Sequence, residues 1–257
     1  MNTGPYITTS WDDGHPLDLR VADLLTRYGL RGTFYVPRTA PGGTMTRAQL
    51  RELADAFEIG AHTLHHVVLT RVDDARARAE ITGSRAWVED VTGAACTMFC
   101  PPMGRFSLTH VLMMGDAGYT GFRTVELLST APPRPVAGML ELGTTIQAHP
   151  HRADNYIRNA IRRRAPGKLV RWAVHAAGRE WPAHAESLLR HVLRTGGVFH
   201  LWGHSWEVEQ NGQWAELERV LERIGALLAY ARPVTNGELC TACCAGAPED
   251  ERVSPAR

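Results

Sequence analysis

The chain has 257 residues, of which 28 are Lys or Arg and 27 are Asp or Glu, and its formal net charge is +1. Hydrophobic residues make up 44% and charged residues 21%, which excludes disorder as the overall state. The near-neutral charge and the lack of a long apolar run give no reason to expect nucleic acid or a membrane as a partner. The start, Met1-Asn2-Thr3-Gly4-Pro5, lacks the basic and apolar regions of a secretory signal, so we expect a soluble cytoplasmic protein.

Short β-rich segments alternate with helical patterns along the chain. Strands that are separated by helices imply crossover connections and a mostly parallel sheet. About seven such repeats in roughly 240 residues favour a (β/α) barrel over an open doubly wound sheet. The predicted elements are strand 6–11, helix 16–30, strand 32–36, helix 46–57, strand 58–61, helix 73–91, strand 96–100, helix 108–116, strand 121–125, a Pro-rich loop 129–138, strand 140–147, strand 198–202 and helix 214–232.

The C-terminal end differs in composition from the rest. After about residue 240 the chain is rich in Ala, Gly, Pro and charge, which predicts a domain over 1–240 and a disordered tail over 241–257. Cys240, Cys243 and Cys244 form a single Cys-x-x-Cys pair with one extra thiol. A zinc site of the common kind needs a second pair, so we interpret these residues as a reduced cluster at the edge of the tail.

The first of three polar clusters follows the first strand, where the working residues of a parallel barrel gather. It reads Ser10-Trp11-Asp12-Asp13-Gly14-His15. Adjacent carboxylates on a strand point in different directions, so one can bind a metal while the other acts as a base. The structural alternative is a helix N-cap.

The second cluster is His62-Thr63-Leu64-His65-His66, directly after a short strand. His62 and His66 are four residues apart and lie on one face if the backbone is locally helical. Neutral imidazole is the commonest protein ligand for zinc and similar ions. The spacing therefore favours a ligand pair over structural histidines and leaves His65 without a role.

The third cluster lies at the last clear strand, where His200, Trp202 and His204 alternate onto one side. A histidine at such a strand end suits a general acid, because its ordinary pKa of ~6.5 lies near the operating pH. Glu207 would orient it or raise its pKa, and Trp202 and Trp206 would form an apolar wall. The alternative is an aromatic core strand with hydrogen-bonded histidines.

Together the clusters predict a hydrolytic centre. One Asp and two His make a three-ligand metal site with an open position, at which a water is activated. A second Asp can take the proton from that water, and a distant His can return it.

The chain resembles the polysaccharide deacetylase family (carbohydrate esterase family 4) over about residues 5–240. The segment 10–14 corresponds to the family's Thr-Phe-Asp-Asp-Gly motif, and 62–66 matches its His-Ser/Thr-x-x-His motif. The resemblance implies an α/β fold, a distorted (β/α) barrel of mostly parallel strands.

The resemblance also assigns roles to the motif residues. It implies that Asp12 is the catalytic base and that Asp13, His62 and His66 bind one divalent transition metal. Zinc best suits these ligands, while cobalt, nickel, manganese and iron also fit.

The later motifs depart from the family pattern. Where the family has Arg-x-Pro-Tyr-Gly, this chain has Cys100-Pro101-Pro102-Met103-Gly104. The resemblance implies that the Met103 backbone N–H donates to the oxyanion. Our hypothesis is that Arg105 or Arg123 takes over the contact with Asp12 that the Arg replaced by Cys100 would make.

The fourth family motif is not found, and the fifth is matched only loosely by Leu201-Trp202-Gly203-His204. His204 is therefore the implied acid, with His200 as the fallback and Trp202 as a substrate contact. These departures indicate a divergent member whose substrate is not a standard polymer of N-acetylglucosamine.

The resulting functional prediction is a metal-dependent hydrolase of non-peptide C–N bonds. It would remove an acetyl group from an N-acetylated sugar or a related soluble metabolite, with a bell-shaped rate–pH profile. A cyclic amide- or imide-opening amidohydrolase of the same superfamily and a non-catalytic carbohydrate-binding protein on the same barrel are the alternatives. The sequence leaves the oligomeric state, the acyl group and its scaffold open.

Overall fold

The structure is a computed structural model and describes residues 4–151, 155–156, 158–159, 167–175 and 180–244. Its strands are β1 (Tyr6–Asp12), β2 (Gly32–Val36), β3 (Glu58–Ala61), β4 (Met98–Phe99), β5 (Gly121–Arg123), β6 (Arg134–Val136), β7 (Met139–Leu142), β8 (Ile146–Gln147), β9 (Val198–Gly203) and β10 (Arg232–Pro233). Its helices are α1 (Asp18–Arg27), α2 (Arg47–Ala54), α3 (Asp74–Thr92), α4 (Leu108–Asp116), α5 (Gly167–His175), α6 (Trp181–Thr195), α7 (Ser205–Gln210), α8 (Trp214–Gly225) and α9 (Asn236–Cys244).

The strands form one curled sheet in the order β6-β7-β5-β4-β3-β2-β1-β9-β8, with β10 also paired to β1. Every pairing is parallel except that of β6 with β7. Backbone hydrogen bonds from Leu128 N to Thr145 O (3.0 Å) and from Ser129 N to Thr144 O (2.9 Å) join the segment after β5 to the segment before β8. The sheet is thus a half-barrel, which confirms the predicted mostly parallel (β/α) barrel.

Strand β1 lies in the interior of the sheet, between β2 and β9. All of its residues except Tyr6 are buried, as expected for a parallel strand that is covered on both faces. The helices pack apolar stripes against the outside of the sheet. In α8, for example, Leu217, Val220, Leu221 and Ile224 recur at helical spacing and are buried.

The structure corrects several predicted elements. The strand predicted over 140–147 is two strands, because the chain turns at 143–145, where Thr144 N donates to Glu126 O (2.8 Å). The Pro-rich loop contains β6, and the helix predicted to end at residue 232 ends at Gly225. Helices α6 and α7 were not predicted.

The C-terminal cysteines lie in a helix rather than in a tail. Helix α9 continues through residue 244, so the predicted boundary after residue 240 falls inside it, and 245–257 lie outside the described residues. Cys240 is buried with its Sγ 3.9 Å from Met98 Sδ, and Cys243 is half-buried. Among the described helices, none has both the length and the hydropathy that a membrane span requires.

Candidate active site

The end of β1 brings two neighbouring carboxylates to one cavity. An unbroken strand would aim Asp12 and Asp13 to opposite faces. The backbone instead turns left-handed at Asp13 (φ 77°), a conformation that Asp tolerates better than most residues, and stays so at Gly14 (φ 61°). A Cβ at Gly14 would lie 2.5 Å from Val36 Cγ1, so the turn requires glycine there. Both carboxylates consequently line the same cavity.

The two histidines of the second cluster meet Asp13 at the end of β3. Asp13 Oδ1 lies 3.4 Å from His62 Nε2 and 3.0 Å from His66 Nε2. The local backbone is not the helical turn that the sequence suggested, since Thr63 and His66 are left-handed (φ 59° and 53°). Thr63 Oγ1 stabilises this turn by donating to His62 O (2.6 Å) and accepting from Val67 N (2.9 Å).

This trio fits a divalent cation. A carbonyl oxygen can only accept, so the 2.6 Å contact between His62 Nδ1 and Cys100 O places the ring hydrogen on Nδ1 and leaves the Nε2 lone pair directed at Asp13. Asp13 Oδ1 is buried, and none of the described residues donates a hydrogen bond to it. Electron-rich atoms therefore converge, and one carboxylate oxygen with two imidazole nitrogens is a common zinc ligand set.

Asp12 is buried beside this trio and is held by a strand further along the sheet. Arg123 Nη2 donates to Asp12 Oδ1, and Cys100 Sγ lies 3.9 Å from Asp12 Oδ2. The Arg123 guanidinium is fully buried between the rings of Tyr35 (5.3 Å) and Trp202 (4.7 Å). Of the two arginines considered from the sequence, Arg123 makes the contact with Asp12, whereas Arg105 is exposed and does not line the cavity.

His204 follows β9 and faces both carboxylates. Its Nε2 lies 3.9 Å from Asp12 Oδ2 and 3.9 Å from Asp13 Oδ2, and its Nδ1 is 2.6 Å from Glu207 Oε2. Gln147 Nε2 donates to the same Glu207 oxygen (2.8 Å). Burial lowers the pKa of His204, but the hydrogen bond to Glu207 and the nearby carboxylates outweigh it and raise that pKa above its ordinary value.

His200 lies in the sheet interior, away from the cavity. Its Nε2 is 2.9 Å from Ser10 Oγ and its Nδ1 is 3.1 Å from Gly143 O. Burial and the charge of Arg123 lower the pKa of His200 to about 3. Since it is neutral and does not line the cavity, the geometry favours His204 over His200 as the acid.

The trio of Asp13, His62 and His66 and the residues beside it line a cavity of about 790 Å³. Met103 is exposed there with a left-handed backbone (φ 57°), and the rings of Trp202 and Trp206 flank His204 at 5.5 and 5.4 Å. The lining residues are Asp12, Asp13, His62, His66, Met103, Val125, Leu127, Gln147, His151, Asn155, Arg158, Asn159, Trp202, His204 and Trp206.

Sequence reasoning did not predict one wall of this cavity, which is formed by Gln147, His151 and Asn155. His151 Nε2 lies 2.7 Å from Gln147 Oε1, and Asn155 Nδ2 lies 3.1 Å from His151 Nδ1. Burial and the neighbouring His149 lower the pKa of His151 to about 4, so this side chain is polar and uncharged at neutral pH. The pair of histidines around Pro150 was the one signal in the sequence that could have indicated it.

Residues 2–122 match the sequence model of the polysaccharide deacetylase family. The match covers just under half of the chain and supports a divergent member of that family. A comparison with curated proteins found no match. The matched range contains Asp12, Asp13, His62 and His66 and ends one residue before Arg123. The placement of Arg123 and His204 in this polysaccharide deacetylase relative therefore rests on the geometry of the site.

Several solved structures share the fold of this chain. A candidate polysaccharide deacetylase from Mycobacterium smegmatis is 14% identical, with a TM-score of 0.70 over 99% of this chain and 95% of that one. A family 4 carbohydrate esterase from Streptomyces lividans in complex with acetate is 17% identical, with a TM-score of 0.51 over 88% of each chain. A mutant of a peptidoglycan deacetylase from Bacillus subtilis is 14% identical, with a TM-score of 0.56 over 95% of each chain.

Proposed function

We propose that this protein is a metal-dependent N-deacetylase that acts on an N-acetylated sugar or a related small metabolite. The observation that carries the proposal is the position of Asp12. It lies beside the trio of Asp13, His62 and His66 without belonging to it, and its Oδ2 is 3.9 Å from His204 Nε2. A carboxylate that metal binding does not need, placed between a cation site and a histidine, supports a catalytic role.

Asp13, His62 and His66 would hold one divalent ion, with zinc the best match to their donor atoms. Such an ion, when bound, supplies an activated water and polarises the acetamide carbonyl. The hydrogen bond from His62 Nδ1 to Cys100 O orients one ligand in advance.

Asp12 acts as the general base in this proposal. Its carboxylate accepts the proton of the attacking water, and its Oδ1 is held by Arg123, which leaves Oδ2 directed at the reaction site. Arg123 cannot lose its own proton, so it fixes the orientation of Asp12 without competing for the transferred proton.

His204 acts as the general acid, and Met103 assists the oxyanion. Glu207 accepts from His204 Nδ1, so the Nε2 proton of the charged ring is available for the departing amine. The left-handed backbone at Met103, beside the cavity, supports a role for its N–H as a donor to the developing oxyanion.

The cavity supports a sugar-like substrate. The polar wall of Gln147, His151 and Asn155 suits hydroxyl groups, while the half-buried Trp206 offers a ring of the kind that sugars stack against. The relatives include a peptidoglycan deacetylase and a carbohydrate esterase that binds acetate, which favours an acetylated carbohydrate. The cytoplasmic location stays a prediction.

The test is acetate release by zinc- or cobalt-loaded protein from N-acetylated monosaccharides, their short oligomers and a cyclic imide. We expect release from an N-acetylated monosaccharide or related small molecule, and release slower by about 100- to 10,000-fold from the Asp12→Asn variant. Ring opening of the imide in place of acetate release would favour the amidohydrolase alternative. Tight sugar binding without turnover by the metal-loaded protein would overturn the proposal and favour a binding protein.

A further inference from the structure

Trp206 makes a contact that its position in an apolar wall does not explain. It lies in the first turn of α7, and its indole Nε1 donates to Asp13 Oδ2 at 2.9 Å. The other oxygen of the same carboxylate, Oδ1, is the one that faces His62 Nε2 and His66 Nε2. The two oxygens of Asp13 therefore face different partners.

We propose that Trp206 is a positioning residue that makes Asp13 a ligand through one oxygen and thereby strengthens binding of zinc. This inference rests on one part of the proposed function, namely that Asp13, His62 and His66 bind a cation; it does not require that the protein is a deacetylase. An aspartate can bind a metal through one oxygen or through both, and the second mode raises the coordination number toward that of calcium sites. A hydrogen bond to Asp13 Oδ2 disfavours binding of the metal through both oxygens. It therefore favours the tetrahedral geometry that zinc prefers.

Trp206 has no substitute in this contact among the described residues. His204 Nε2 is 3.9 Å from Asp13 Oδ2, which is beyond hydrogen-bond range. The indole also lines both the main cavity and a second cavity of about 340 Å³, each of which reaches Asp13 and His66.

Trp202 provides a matched control. Like Trp206, it lines the main cavity and packs beside the His204 ring, with a centroid distance of 5.5 Å against 5.4 Å. Its Nε1 is buried, however, and has no hydrogen-bond partner among the described residues. Replacement by Phe thus removes a donor to the cation site at position 206 but not at position 202.

The experiment is calorimetric titration of the metal-free full chain with zinc, for the wild type, Trp206→Phe and Trp202→Phe. Loss of an outer hydrogen bond to a metal ligand weakens binding about 10- to 100-fold, so we expect that loss in Trp206→Phe and an unchanged affinity in Trp202→Phe. With cobalt as the probe, the absorption spectrum of Trp206→Phe should move from four-coordinate toward higher coordination, which a general loss of packing would not cause.

Trp206 is only half-buried, so we expect the variant to fold. The thermal midpoint of each metal-free protein checks this, and the zinc-induced rise above each protein's own midpoint gives a second measure of affinity. Equal zinc affinity in the wild type and Trp206→Phe, or equal losses in both Trp variants, would overturn the inference alone. A wild type that binds no zinc would overturn the proposed function as well. Weaker zinc binding in Trp206→Phe, in a protein that releases no acetate, would support the inference and count against the proposed activity.

Discussion

The guanidinium of Arg123, the last residue of β5, donates to the carboxylate of Asp12, the last residue of β1. Three strands lie between β5 and β1 in the sheet, so a flat sheet would hold these residues apart. The curl of the half-barrel brings them together across its interior. Cys100, which follows β4, contributes only a thiol 3.9 Å from the same carboxylate.

Replacement of Arg123 by Ala should therefore impair Asp12 as the general base. Asp12 would stay buried without its charged partner, and we expect kcat for acetate release to fall at least about 100-fold, in the range of general-base contributions. Removing one partner of a buried ion pair also costs about 3–5 kcal/mol of unfolding free energy. Steady-state kinetics and urea unfolding measure the two effects.

Arg105→Ala is the control for this prediction, because Arg105 is exposed and lies outside the cavity lining. We expect its kcat to equal that of the wild type. Full activity of a folded Arg123→Ala protein would show that Asp12 needs no partner from β5.

Sequence reasoning predicted the candidate site residues that lie in short motifs. The spacing of His62 and His66 predicts a pair of ligands, and the family resemblance implies that Asp13 joins them; the fold brings these two strand ends together. The choice between Arg105 and Arg123 could not be made, because it depends on how far the sheet curls. The contact between Trp206 and Asp13 depends on side-chain orientation, which no periodicity encodes.

The polar wall shows a second limit of the sequence. His151 contacts both Gln147 and Asn155, yet Gln147 belongs to β8 and the other two residues follow that strand. The prediction of a single strand over 140–147 missed the change of direction at 143–145. This change of direction places β8 beside β9 and away from β7. Periodicity cannot distinguish one long strand from two short ones that are joined by a tight turn.

The two adjacent aspartates should separate metal binding from catalysis. In Asp12→Asn the trio is intact, so we expect about one zinc per chain and a kcat that is lower by about 100- to 10,000-fold. In Asp13→Asn a charged ligand is lost, so we expect metal loss together with inactivity. Mass spectrometry of the metal content and acetate release distinguish the two variants. A metal-free Asp12→Asn protein would contradict the division of roles.

Removal of both imidazole ligands should abolish the cation site without unfolding the protein. His62 and His66 lie at the end of β3 rather than in the packed helices, so we expect His62→Ala/His66→Ala to fold but to lose the bound metal. The wild type, purified in parallel, should carry about one transition-metal equivalent. His65→Ala is the matched control, because His65 contacts Glu80 (2.8 Å) and not Asp13. Equal metal contents in the double variant and the wild type would place the cation elsewhere.

His200 should make the stability of the fold depend on pH. Its pKa is about 3 in the folded protein, because of burial and the charge of Arg123, against an ordinary value of 6.5. Below about pH 6.5 the unfolded chain binds a proton that folded His200 does not bind. This contribution to the unfolding free energy is therefore complete above pH 6.5 and decreases toward pH 3, by up to about 1.4 kcal/mol per pH unit.

His200→Gln keeps a polar side chain next to Ser10 but cannot titrate. Urea unfolding of the metal-free wild type and variant between about pH 7 and pH 5 should give a steeper loss of stability for the wild type. The metal-free state leaves the contributions of His62 and His66 equal in both proteins, so the difference in slope reports on position 200. Parallel pH dependences would mean that folded His200 binds its proton as readily as the unfolded chain does, and that its ring is hydrated or rearranged in solution.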